Sequence, residues 1–162
     1  MRKFGPAIAA LGLALALGAC AKNATDSSSL NGAYGAGGGP GSYQEFSGSV
    51  GDRVFFDTDQ TDLSSQAQMT LDKQAEWLNR YGRYTFTIEG HADERGTREY
   101  NFALGSRRAE SVKNYLISKG VSGSRMHTIS YGKERPVAVC DDISCWSQNR
   151  RAVTVLNGAP GS

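Results

Sequence analysis

Residues 84–101 read YTFTIEGHADERGTREYN, and the fold turns on how this stretch divides. Tyr84, Phe86 and Ile88 alternate with Thr85, Thr87 and Glu89, the period of a strand buried on one face. The alternation stops at Gly90-His91, and Asp93, Glu94, Arg95 and Arg98 follow within a few residues. Gly96 permits a tight backbone turn there, and the Thr97 hydroxyl can cap a following helix. That helix is predicted from Thr97 or Arg98 to Lys119, with Ala109, Val112 and Leu116 on its apolar stripe and Gly120 closing it. A strand that delivers this many ionisable groups to the start of a helix marks a candidate site. A catalytic centre, a metal site and a pocket for a charged ligand are all open at this point.

The flanks supply the remaining elements. RVFFD (53–57) predicts a short apolar strand ending in a carboxylate. Ser65 to Gln68 matches a capping box, and Ala67, Leu71, Ala75 and Leu78 follow at helical spacing, with Gly82 expected to end that helix in the left-handed region. MHTISYG (126–132) and RRAVTVL (150–156) predict two further strands. The order β-α-β-α-β-β predicts an α/β (α+β) two-layer sandwich, with two helices on one face of a mixed sheet.

The N-terminus reads differently. MRKFGPAIAALGLALALGAC has a basic start, an apolar run from Ala7 to Leu17 too short to span a bilayer, and the ending Leu17-Gly18-Ala19-Cys20. This ending resembles the bacterial lipobox, which implies acylation of Cys20 and an effectively permanent lipid anchor. Ala21, in place of the Asp of an inner-membrane retention signal, favours sorting to the outer membrane. Ser, Gly and Asn then dominate, a composition that cannot offset its own ordering entropy. A tether of this kind averages roughly 25–30 Å end to end and reaches about 85 Å when stretched. The predicted organisation is a signal peptide over 1–19, lipidated Cys20 and a flexible tether over 20–46, a folded domain over 47–157 and a disordered tail over 158–162.

Composition excludes some functions. The 162 residues carry a formal charge of +2. Removal of the signal takes Arg2 and Lys3 with it and leaves the mature chain near neutrality, which gives no support to nucleic-acid binding. With Cys20 acylated, Cys140 and Cys145 remain as an even pair in an exported protein, and CDDISC fits a small disulfide loop. Free thiols or a metal are the alternatives. Against a metal stand the two distant histidines and the lack of a CxxC motif. Neither a GxSxG elbow nor a phosphate-binding GxxxxGK[ST] loop is present, so an enzyme is not expected and no cofactor is implied.

Asn101, Leu104 and Arg108 fall on one side of the second helix, which lets Arg108 approach the turn that carries Asp93. The two groups can close on each other as a salt bridge. Held apart, they suit a zwitterion, with an ammonium on Asp93 and a carboxylate in the fork of Arg108. FFDTD, GHADERGTREYNFALGSRRAESVKNYLISKGV, SYGKERP and SQNRRAV together resemble the OmpA-like C-terminal domain family, over nearly the whole predicted domain. The resemblance implies non-catalytic binding to the meso-diaminopimelate of peptidoglycan, by a lipid-anchored protein of the outer membrane facing the periplasm. It implies partners in the Tol envelope system, TolB among them. Carried over, Asp93 and Arg108 pair with the ligand, and Asn101 and Leu104 line its pocket beside Phe56, Asp57 and Thr58. Ala92 and Thr97 add backbone and hydroxyl contacts. Arg150 and Arg151 match a late arginine pair of the family, for which a structural role at the sheet edge is as good a reading as ligand contact.

Overall fold

The computed structural model describes residues 38–158. The signal peptide, Cys20, most of the tether and the last four residues lie outside the described residues. Strand β1 is Arg53–Phe55, helix α1 Ser65–Arg80, strand β2 Phe86–His91, helix α2 Arg98–Ser118 and strand β3 Met126–Gly132. A short helix α3, Ile143–Asn149, precedes strand β4, Arg151–Leu156. The strands form one sheet in the order β1-β4-β2-β3, with β2 parallel to β3 and β4 antiparallel to both β1 and β2. This is the expected mixed sheet with helices α1 and α2 on one face.

The predicted alternation is realised, because Phe86 and Ile88 are wholly buried while Thr85, Thr87 and Glu89 are half-buried. They meet Leu71, Ala75 and Leu78 of α1 and Ala109, Val112 and Leu116 of α2 in a single core. Thr97 caps α2 by accepting a hydrogen bond from the Tyr100 amide, and Gly120 follows the helix with φ +87°. No helix among the described residues is long and apolar enough to cross a membrane.

Four details differ from expectation. The cap of α1 is Ser64, one residue early, because its hydroxyl is the one that reaches the Ala67 amide. Tyr81 ends α1, and Gly82 does not take a positive φ. The region between β3 and β4 is not plain connection. Cys140 and Cys145 form the expected disulfide, but helix α3, which was not expected, starts there, capped by the Asp142 carboxylate on the Ser144 amide. Its few residues give too little periodicity for a helix to be read from sequence. Finally, the packed body begins before residue 47. Phe46 is fully buried against Trp77, and the Glu45 carboxylate accepts from the Trp77 indole at 2.7 Å and the Gly41 amide at 2.6 Å. The Gly41 carbonyl in turn takes hydrogen bonds from Tyr84 and Arg83. One phenylalanine in a Gly/Ser-rich run gives no periodic signal, but an aromatic cluster is waiting for it.

The contact that sets the layers is between two glycines. A Cβ on Gly90 of β2 would stand 1.8 Å from the Gly105 carbonyl oxygen of α2, so the helix backbone lies directly on the strand. A Cβ on Gly105 would meet the Ser130 hydroxyl at 2.4 Å and the Gly90 carbonyl oxygen at 2.8 Å. Only residues without side chains permit this approach. Gly90→Ala is therefore expected to lower stability by about 3 kcal/mol, the upper range for overpacking, measured as a reduced midpoint of urea unfolding.

Candidate functional site

The carboxyl end of β2, the loop after β1 and the start of α2 meet at one place. Arg108 lies beneath it and is completely buried. Its Nε donates to the Gln60 carbonyl at 2.9 Å, Nη1 to the His91 carbonyl at 2.8 Å and Nη2 to the Asp57 carbonyl at 3.0 Å. The guanidinium stands 5.1 Å from the centre of the Phe56 ring. Burial, then the charge of Arg150, pushes its pKa down to about 10, so it remains a cation at neutral pH. Arg108 thus fastens the 57–60 loop to the end of β2. In that loop Asp59 takes φ +56°, and its carboxylate receives the Tyr100 hydroxyl at 3.1 Å.

Asp93 does not pair with Arg108. Its carboxylate is gripped by Arg95, Nη2 to Oδ2 at 2.7 Å and Nε to Oδ1 at 3.0 Å, and it also accepts from the Arg95 amide at 3.2 Å. From the other side Arg150 Nη1 approaches Oδ2 at 3.4 Å, while Arg150 Nε holds the Phe56 carbonyl at 3.0 Å. Burial pushes the Asp93 carboxyl upward, but the Arg95 hydrogen bonds and charge, with Arg150 behind them, outweigh it and hold the group below the usual carboxylate range. Two guanidiniums therefore hold one buried carboxylate, with Arg108 beneath them and the charges of Asp59 and Glu94 beside Arg95. The guanidiniums suit an anion, and the Asp93 carboxylate suits a cation.

The other predicted residues take varied places. Thr58 receives Arg95 Nη2 at 3.4 Å, and Asn101 Nδ2 donates to the Arg95 carbonyl at 2.6 Å. The Ala92 amide is committed to the Gly132 carbonyl at 2.8 Å, which ties it to the β3 end of the sheet. Leu104 is buried on α2, one turn before Arg108. Phe56 and Asp57 line a groove of about 710 Å³ whose wall includes Gln60, Leu63, Gln148 and Arg150. Arg150 touches both the groove and Asp93, which favours a site role for it over a purely structural one. Arg151 points elsewhere, with Nη1 on the Asn149 carbonyl at 3.3 Å and Nη2 on the Arg135 carbonyl at 3.1 Å.

Two residues of this neighbourhood have a role the sequence does not show. From sequence Arg95, like His91 and Glu94, reads as a residue that orients the turn or meets a protein partner, and its grip on Asp93 is not revealed by its spacing. Trp146 of α3 lies with its ring 4.2 Å below the Arg95 guanidinium and donates its indole N–H to Glu94 at 2.6 Å. A tryptophan following a cysteine loop gives no hint of that placement.

The family model described as OmpA matches residues 55–150. A peptidoglycan-associated lipoprotein of Agrobacterium fabrum is 64% identical over 157 residues, 95% of this chain and 89% of the relative. Its counterpart in Rhizobium meliloti is 62% identical over 156 residues, with 95% and 89% covered. The crystal structure of the peptidoglycan-associated lipoprotein from Burkholderia pseudomallei superposes with a TM-score of 0.67 at 40% identity, covering 70% of this chain and 98% of that one. The chain belongs to the OmpA family and, within it, to the peptidoglycan-associated lipoproteins. None of these relatives bears the name of an enzyme.

His91 adds a pH dependence. Its ring is buried, and neither nitrogen has a hydrogen-bond partner among the described residues; Glu89 Oε2, at 3.7 Å from Nε2, is beyond bonding range. Burial, with the charges of Arg151 and Arg135, pushes its pKa from 6.5 down to about 4. The unfolded chain takes up this proton first, so acid favours unfolding. The contribution is intact above pH 6.5, is lost as pH falls below that value, and levels off near pH 4. Between pH 7 and pH 4.5 the protein is expected to lose about 2–3 kcal/mol more stability than a His91→Phe variant, measured by urea unfolding at both pH values.

Proposed function

We propose that this chain is an outer-membrane lipoprotein, acylated at Cys20, whose periplasmic body holds peptidoglycan non-covalently through meso-diaminopimelate. The observation that carries the reading is the buried Asp93 carboxylate set among Arg95, Arg108 and Arg150 at the edge of a groove. The free end of the diaminopimelate side chain is a zwitterion. Asp93 takes its ammonium. Its carboxylate enters from the groove and lies between Arg150 and Arg108, whose mutual repulsion it relieves. Arg108 spends three of its donors on carbonyls, so it acts as the charged floor of the site and Arg150, which lines the groove, as the arm of the fork that meets the ligand. Phe56, Asp57, Thr58, Thr97, Asn101, Leu104 and Ala92 shape the surround, and no cofactor takes part.

The attachment of the body supports a bridging role. The Gly41 segment docks beside Tyr84 at the amino end of β2, and Asp93 follows its carboxyl end. A strand of this length separates the two by about 20 Å, so a tether leading to one layer leaves from the end opposite the site. We infer membership of the Tol–Pal system, with TolB binding near the same site in competition with the cell wall, and a part in envelope integrity and outer-membrane constriction during cell division. An OmpA-like anchor serving another machine is the rival reading, and failure to co-purify with TolB despite cell-wall binding would favour it.

The test is retention on purified sacculi. Asp93→Asn is expected to reduce retention at least tenfold while the melting temperature shows a folded protein, and Arg150→Gln to weaken it to a smaller extent. Sacculi with lysine in place of diaminopimelate lack the second carboxylate and are expected to retain the wild type poorly. Unchanged retention of Asp93→Asn would refute the zwitterion site.

A further inference from the structure

Arg95 occupies the place that a ligand cation needs. Its guanidinium makes both side-chain contacts to Asp93 at 2.7 and 3.0 Å, and the side chain is 40% exposed where that of Asp93 is 9% exposed. Seen from solvent, Asp93 is covered by Arg95, while Arg150 holds it from within. An ammonium reaches the carboxylate only when Arg95 leaves.

The surroundings allow the side chain to leave without moving the turn. The Arg95 carbonyl is held by Asn101 at 2.6 Å. Lys133 Nζ clamps the carbonyls on either side, Glu94 at 3.1 Å and Gly96 at 2.6 Å. Gly96 itself takes φ +84°, a conformation set by the turn. With the backbone pinned at three successive carbonyls, motion is confined to the arginine side chain. Other partners are already at hand for it: the face of Trp146 at 4.2 Å, and the charges of Asp59 and Glu94. Trp146 is fixed by its bond to Glu94 and carried on the helix that begins in the disulfide loop. The guanidinium already rests on the Trp146 face while it holds Asp93, so on release it can pivot over that ring toward the Asp59 and Glu94 carboxylates.

We propose that Arg95 is a displaceable internal counter-ion, a latch that fills the cation subsite of Asp93 in the free protein and must swing away for ligand to bind, with Trp146 as its seat. This rests on the reading of Asp93 as an ammonium site. The latch lowers apparent affinity by the fraction of time it is closed. It also keeps the buried carboxylate paired when no ligand is present, where an unpaired charge would be costly. Cations that cannot also satisfy the groove do not displace it, so the latch raises selectivity for a zwitterion over a simple amine.

The experiment titrates the full chain with free meso-diaminopimelate by calorimetry, in the wild type, Arg95→Ala, Arg95→Lys and Asp93→Asn. Arg95→Ala is expected to bind about three- to tenfold tighter than the wild type, the range for a partly exposed ion pair. Arg95→Lys keeps a cation on Asp93 and is expected to stay near the wild type. In ligand-free protein, carboxyl NMR should show the Asp93 titration moving up in Arg95→Ala and remaining low in Arg95→Lys, which verifies the pair in solution; the gain in affinity is what separates a latch from a purely structural arginine. An Arg95→Ala affinity equal to or weaker than the wild type, with Asp93→Asn still crippled, overturns the latch and leaves the site reading standing. If Asp93→Asn binds like the wild type, the site reading falls and the latch with it.

Discussion

The site depends on two backbones touching. With hydrogen in place of a side chain at Gly90 and Gly105, α2 settles directly on β2. Arg108, nearly one turn further along the helix, then lies close enough to donate to the carbonyl at the end of the same strand. A helix held further off by side chains at these two positions would leave that guanidinium short of the His91 carbonyl. The consequence runs outward from there. Arg108 fixes the 57–60 loop, the loop brings Thr58 and Asp59 beside the Asp93 turn, and Tyr100 and Arg95 complete the rim.

The buried charges are balanced in an unusual way. A buried guanidinium normally needs a carboxylate or a full set of acceptors. Arg108 is satisfied by carbonyl oxygens, which stabilise its charge without neutralising it. Asp93 is then shared between Arg95 and Arg150. The result is an interior cluster of paired and carbonyl-bound charges beside a groove, in a chain whose overall charge is small.

The two ends of the sheet do different work. At the amino end of β2, Phe46, Trp77 and Tyr84 pack together and Glu45 ties the incoming chain to Trp77. At the carboxyl end, the same strand delivers His91 and Asp93 to the charged cluster. One strand thus links the point where the Gly41 segment docks to the point where a ligand is proposed to bind, with the Gly90–Gly105 contact near its carboxyl end.

Much of this was legible in the residue pattern. Alternation at 84–89 defined the central strand, helical spacing defined α1 and α2, and Gly96-Thr97 defined the turn and cap, because each depends on a local period or a local hydrogen bond. The stripe of Asn101, Leu104 and Arg108 followed from helix geometry, and all three are buried. Who pairs with whom did not follow. Spacing brought Asp93 and Arg108 near each other, but the partners of both were chosen by groups far apart in sequence: Arg150 from β4's approach, the carbonyls of 57 and 60, and Trp146 from α3. Helix α3 and the docking of Phe46 escaped for the same reason, being held by a cross-link and an aromatic cluster and not by any period of their own. The sequence alone determined the four strands, the two long helices, the lipobox-like motif and the chemical types that gather at the turn. The tertiary structure decided which cation sits on Asp93, because the energy of a buried charge depends on every neighbour within a few ångströms, and most of those neighbours arrive only when the chain has folded.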